Sequence, residues 1–277
     1  MKFKTIFIFF NSILIFSLIF IFFMPFFIIG RGYALDFWKQ NWYISLLFLL
    51  VLFIMNTYFL KNWKLFLLME GENWQGIKAF LEAKIKEGKK LSEQNARILM
   101  NTYLVLGESD KMLSLSNTLK TQSPRVYKSL AVELGVGHLM KSNPEGLEEY
   151  YTPLTNTTEV KGVDYARFSL ALAYLFAHRY EDALKALTEF QNYQKEPILF
   201  LLSNYLLHTL KGEDPQILEE IESRRKWFLT TYPSKKWERY IEGRKENLVI
   251  LVLSRFIQDA SFWIYGKSEV SNGSTKV

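Results

Sequence analysis

The 277-residue sequence predicts an all-α protein: a transmembrane helical hairpin at the N-terminus, then an α-solenoid of short paired helices with a long C-terminal capping helix. Three observations predict it. Two uncharged apolar runs fill most of the first 64 residues, capping side chains followed by proline recur beyond them, and apolar positions of helical period return every 35 to 36 residues.

The first run, "IFIFFNSILIFSLIFIFFMPFFII", lies in residues 5–29, which carry no charge, and about 20 apolar residues suffice to cross a hydrocarbon core. The second, "YISLLFLLVLFIMNTYFL", begins at Tyr43, and its span is expected to cover about 43–62. Trp38, Trp42, Tyr58 and Trp63 flank it, where amphipathic rings favour the headgroup level. A cleavable signal peptide is the competing reading of the first run, because "GYA" precedes Leu35. Its apolar stretch far exceeds the ~7–15 residues of such peptides, so a retained span is expected. Lys2 and Lys4 precede the first span and Lys61, Lys64 and Lys78 follow the second, against Arg31 and Lys39 between them. That balance favours both ends inside, placing residues 65–277 on the cytoplasmic face of a bacterial inner membrane.

Charge and composition exclude several functions. Of the net charge of +6, residues 1–64 carry +5, so the remainder has no balance suited to a nucleic-acid partner. The absence of cysteine removes disulfides, thiolate metal sites and cysteine nucleophiles. His138, His178 and His208 lie far apart with no ligand partner at helical spacing, so neither metal nor catalysis is expected of them. "GVG" at 135–137 has no preceding strand and reads as close helix packing, not as a phosphate loop. Residues 5–29 and 43–60 hold no charged residue, which disfavours a transporter. No cofactor and no enzymatic activity are expected.

Beyond Lys64, Ser123-Pro124, Asn143-Pro144 and Asp214-Pro215 each place a capping side chain before a proline suited to the first helical turn. Ser92 and Asp164 are candidate caps of two further helices. Aligned on one another, Leu99, Leu134 and Leu170 stand in register, followed four residues later by Tyr103, His138 and Tyr174. Met112, Leu147 and Ala183 follow in the second helix of each unit, then Ser116, Tyr151 and Leu187.

On these residues the chain resembles the tetratricopeptide repeat (TPR) family, whose unit is a helix-turn-helix of about 34 residues. The unit from Asp164 to about Pro197 carries most of the pattern, in Leu170, Ala171, Tyr174, Tyr180, Ala183 and Leu187. It lacks the usual early tryptophan and has Phe190 where a small residue is common. The unit from Glu93 matches at Leu99, Tyr103, Gly107 and Pro124, and the unit between them is the most degenerate. The resemblance implies that Ala171 and Ala183 meet where two antiparallel helices approach closest, that Tyr174 and Tyr180 fill the wider space beside them, and that "AHRY" is the turn.

It also implies a concave groove formed by the first helix of each unit. Arg97 and Asn101 match positions that grip a partner's terminal carboxylate in some members, although Glu133 stands where a second amide is expected and Ser169 where a basic residue is expected. An apolar groove lined by Ser129, Val132, Val136, Tyr165, Phe168 and Leu172, holding a partner helix or extended peptide, is the alternative use of the same face. Coverage of Phe168 and Leu172 by the next repeat is the structural alternative to both.

The flanks extend the stack. "KNWKLFLLMEGENWQGIKAFLEAKI" reads as a half-degenerate first repeat whose leading helix is the end of the second span. "SKKWERYIEGRKENLVILVLSRFIQDASFWIYG" reads as one long helix covering the last repeat, completing a helical domain over 65–266, and 267–277 as a disordered tail. The layout is similar to that of bacterial HemY-like two-span TPR proteins. The expected function is a membrane-anchored scaffold or adaptor for proteins or peptides, with a structural subunit of a motor, secretion or envelope-assembly machine as the alternative; the sequence sets no oligomeric state.

Overall fold

The computed structural model describes residues 3–28, 30–157, 159–190, 195–211 and 215–266. Every regular element among them is a helix, and the chain divides into two compact units, 1–83 and 84–277. The predicted tail 267–277, Ile29 at the end of the first span and the capping candidate Asp214 lie outside the described residues.

The first unit opens with α1 (Phe3–Ile28) and α2 (Arg31–Glu70), both long and apolar enough to cross a membrane. They pack as an antiparallel pair. Phe7 meets Phe59 and Trp63 edge-on, at centroid distances of 5.7 and 5.4 Å, while Trp38 stacks on Phe22 at the turn. Gly30, with φ of 82°, reverses the chain so sharply that the expected loop before Tyr43 is helical instead. A kink at Asn41 marks where the predicted second span starts, and the Asn41 amide donates to the Phe37 carbonyl at 2.9 Å. Pro25 has no N–H and disturbs the carbonyl ladder one turn earlier in α1. The Trp38 indole N–H donates to the Phe22 carbonyl across the pair at 3.1 Å.

After α2 the chain turns through Gly71 and Glu72 into α3 (Trp74–Lys86), as the sequence predicts for a helix pair here. Asn73 Oδ1 accepts the Gly76 N–H at 2.8 Å, and a Cβ on Gly76 would stand 2.7 Å from Leu68, so the two helices meet closely at that glycine.

In the second unit α4 (Glu93–Val105) starts at Ser92, whose hydroxyl accepts the Asn95 N–H. There follow α5 (Ser109–Gln122), α6 (Pro124–Leu134), α7 (Val136–Met140) and α8 (Pro144–Thr155), capped by Asn143 through the Gly146 N–H. Next come α9 (Val163–Phe176), α10 (Tyr180–Thr188), α11 (Pro197–Lys211) and α12 (Pro215–Thr231). Asp164 does not cap α9. Gly162, in the left-handed region at φ 79°, precedes its first residue, and Asp164 pairs with Arg167 inside the helix.

The sequence expectation of a single C-terminal helix is corrected to three: α13 (Ser234–Glu242), α14 (Leu248–Val252) and α15 (Ser254–Tyr265). The physical reason is local. Asn247 takes extended backbone and its side chain accepts the Val249 and Ile250 N–H groups, which starts a new helix instead of continuing the old one.

Helices adjacent in the chain pack on one another from α4 to α6 and from α8 to α12, and α15 packs against α11 and α12. One contact skips far along the chain: α14 packs on α6 and α7. Leu99, Leu134, Leu147, Ala171, Ala183 and Leu187 are fully buried and Tyr103 nearly so. α9 packs on α10, and their connection is the "AHRY" turn, with His178 at φ 57°. Tyr174 is half-buried beneath the Arg179 guanidinium, 4.6 Å from its ring. Tyr180, expected to fill the interior, is exposed; its hydroxyl meets His178 Nδ1 at 2.9 Å, because the turn directs it outward.

Candidate functional site

Three helices, α4, α6 and α9, carry every residue the sequence nominates for partner binding except Val136, which opens α7. They border a cavity of about 240 Å³ whose lining includes Arg97, Val132, Glu133, Lys161 and Tyr165. Arg97 Nη1 donates to both Glu133 oxygens at 2.7 and 2.6 Å, and Nη2 reaches Glu93 at 3.4 Å. The guanidinium expected to hold a partner's carboxylate therefore holds the chain's own. Asn101 is exposed and does not line the cavity, so Arg97 and Asn101 do not converge as a clamp.

The apolar groove also needs correction. Val132, Val136, Phe168 and Leu172 are buried core residues. α14, whose Leu248, Val249 and Ile250 are themselves buried, packs over α6 and α7, and the Phe168 ring meets Phe190 edge-on at 6.0 Å. The apolar run "LVILVL", expected to cover the last repeat, thus lies on the face expected to receive a partner. Of the nominated lining, Tyr165 and Ser129 remain partly accessible. The Tyr165 hydroxyl is buried, and burial, reinforced by the Glu196 carboxylate, raises its pKa.

Glu133 makes this site sensitive to pH. Burial raises its carboxyl above the ordinary range, Arg97 pulls it down, and Glu93 adds to the rise. A carboxyl with a raised folded-state value favours the folded form most below its unfolded value, and that contribution is lost as pH rises through the folded one. Unfolding titrations of the full chain from below the carboxylate range to neutrality should therefore show wild type losing stability relative to Glu133→Gln as pH rises. The opposite slope would contradict the burial argument.

An accessible groove lies elsewhere, between α13, α14 and α15, with a volume of about 440 Å³. Trp237, Ile250 and Ile257 form an apolar floor, Leu251 stands 46% exposed, and Glu238 and Glu242 lie on the rim. The floor is held in place: the Trp237 indole N–H donates to Ser261 Oγ at 2.9 Å, and Tyr265 donates to the Tyr232 carbonyl. No single helix encloses a groove, so reading 234–265 as one helix hid this feature. The one sequence signal for it was Asn247 immediately before an apolar run.

The histidines sit apart. His138 rests against Tyr150 with Nδ1 buried and unpartnered, and burial lowers its pKa; His178 pairs with Tyr180, and His208 lies beside Trp263. Among the described residues no three His, Asp or Glu side chains group as a metal site.

Comparison with known proteins adds a family but no chemistry. An "Uncharacterized protein" of Treponema pallidum (strain Nichols) is 24% identical over 232 residues, covering 79% of this chain and 74% of that protein. No solved structure matches the chain. Residues 111–266, running from α5 to the end of α15 and including the whole C-terminal groove, match the family described as "Uncharacterised Treponema protein"; the match spans more than half of the chain, which therefore belongs to that family.

Proposed function

We propose that this protein is a membrane-anchored scaffold, held in the inner membrane by α1 and α2, whose TPR-like helical repeats present a binding surface for partner proteins or peptides on the cytoplasmic side. The observation that carries the reading is the groove between α13, α14 and α15. It combines an apolar floor with a charged rim, the arrangement that receives the apolar side chains of a partner segment. Leu251 is the contact such a segment would cover.

The repeat register supports the architecture. Leu99 and Leu134, and then Met112, Leu147 and Ala183, are fully buried at their 35- to 36-residue spacing, and neighbouring helices pack in chain order as in a solenoid. In this reading α14 departs from the family plan by folding back over α6 and α7, so the working surface moves from the concave face to the C-terminal end. Recognition, without turnover, is the activity. The basic residues at the ends of the spans support the cytoplasmic placement.

The test is affinity capture with the full chain extracted from its native membranes. Leu251→Asp and Ile241→Asp lie at accessible groove positions and should each deplete the captured partners at least about tenfold while leaving the thermal unfolding midpoint unchanged, the loss expected when a buried apolar anchor becomes a charge. Unchanged capture by both variants would remove the groove from the proposal.

A further inference from the structure

The near-neutral balance of the region after the spans conceals a sharp segregation of charge. Residues 223–245 hold eight Lys or Arg and two acids, a net of +6, whereas the rest of 65–277 sums to −5. Lys226, Lys235, Lys236, Arg239 and Arg244 are all exposed, and among the described residues none of the five forms an ion pair. The nearby acids are otherwise engaged: Glu242 pairs with Lys245, and Glu238 accepts from Ser234.

Three of these cations lie on α13. Lys235, Lys236 and Arg239 stand at i, i+1 and i+4 and so share one face of the helix, while Trp237 turns inward to the groove floor. Aromatic rings fix the edges of the patch. Lys236 Nζ lies 4.8 Å from the Tyr232 ring and donates to the Thr231 carbonyl at 2.8 Å, and the Arg244 guanidinium lies 3.8 Å from the Tyr240 ring. Tyr240 in turn stacks on Trp237 at 5.7 Å.

We propose that this face of α13 binds the anionic headgroups of phospholipids, a second membrane contact distinct from the two apolar helices. The proposal rests on the membrane reading of α1 and α2. Covalent attachment to bilayer-length helices keeps the patch at high effective concentration near headgroups, which makes a lipid surface the favoured polyanion. The α13 face is cationic with no exposed large apolar side chain at its centre, the composition that suits a charged surface and not a protein hot spot.

The chain has no cysteine, so Ser234→Cys can carry a single fluorophore at the start of α13 without removing a cation. The full chain is placed in lipid nanodiscs whose headgroups carry a nitroxide quencher, in phosphatidylcholine alone or with phosphatidylglycerol. Quenching should be at least about twofold stronger with phosphatidylglycerol, and the difference should vanish at high salt and in the Lys235→Gln/Lys236→Gln/Arg239→Gln variant. Equal quenching in both lipids overturns the proposal. So does protection of the probe by soluble polyglutamate with no response to phosphatidylglycerol, which would assign the face to an acidic protein. A chain that fails to enter the discs contradicts the membrane reading as well; an inserted chain with equal quenching contradicts this proposal alone.

Discussion

Gly135→Ala should lower the stability of the second unit by about 3–5 kcal/mol, with the unfolding midpoint falling in urea or on heating. Gly135 sits at φ −70°, so backbone freedom is not its reason. A Cβ there would stand 2.5 Å from the Tyr151 hydroxyl and 2.6 Å from the Tyr150 ring. Neither ring can yield cheaply. Tyr151 is fully buried and donates to the Val132 carbonyl at 2.9 Å, and Tyr150 donates to the Ala131 carbonyl at 2.8 Å. The last carbonyls of a helix lack partners within it, so this tyrosine pair closes the end of α6. Alanine at 135 forces overpacking, at about 1–3 kcal/mol, and loosens two hydrogen bonds worth about 1 kcal/mol each. Gly243→Ala is the control: φ is −66° and the nearest atom would be 3.6 Å away, so its effect should stay within about 1 kcal/mol of zero. Equal effects at the two glycines would contradict the steric account.

The second large effect is expected at Phe228. Its buried ring stacks on Phe200 at 5.9 Å and meets Tyr232 and Trp237 at 5.2 Å each. Phe228→Ala removes the centre of this cluster and should cost about 3–5 kcal/mol, whereas Phe228→Leu keeps most of the volume and should cost about 1.5 kcal/mol or less. The consequence reaches the proposed binding groove, because Trp237 is part of its floor and Phe228 packs against Trp237. Unfolding followed by tryptophan fluorescence gives the stability; partner capture by the leucine variant should persist while capture by the alanine variant falls. A Phe228→Ala protein of wild-type stability would show that the aromatic cluster does not hold the groove together.

Much of the fold was legible because its signals are local. Pro124, Pro144 and Pro215 each begin a helix, Ser92 and Asn143 cap as their side chains allow, and the register of Leu99 with Leu134 and of Leu147 with Ala183 picks out buried positions. The candidate site was less legible because it depends on what covers what. Val132 and Phe168 have the residue types of a groove lining, but nothing local announces that 248–252 returns to lie over α6 and α7. Glu133 is the instructive case: its departure from the repeat pattern and the charge of Arg97, 36 residues earlier, together foretell the internal ion pair. The C-terminal groove escaped because a short break at 243–247 leaves helix-like composition on both sides, and one cap residue, Asn247, decides the geometry.

Photocrosslinking in native membranes addresses the central claim, that the groove between α13, α14 and α15 receives a partner. A photoreactive amino acid replaces Leu251 in the full chain or, for comparison, Val105, an exposed apolar residue on α4. The account predicts a discrete protein adduct from position 251 that is absent from 105 and is lost when Ile241→Asp is added. Adducts of equal yield from both positions, or none from 251 in cells where the protein is abundant, would contradict it.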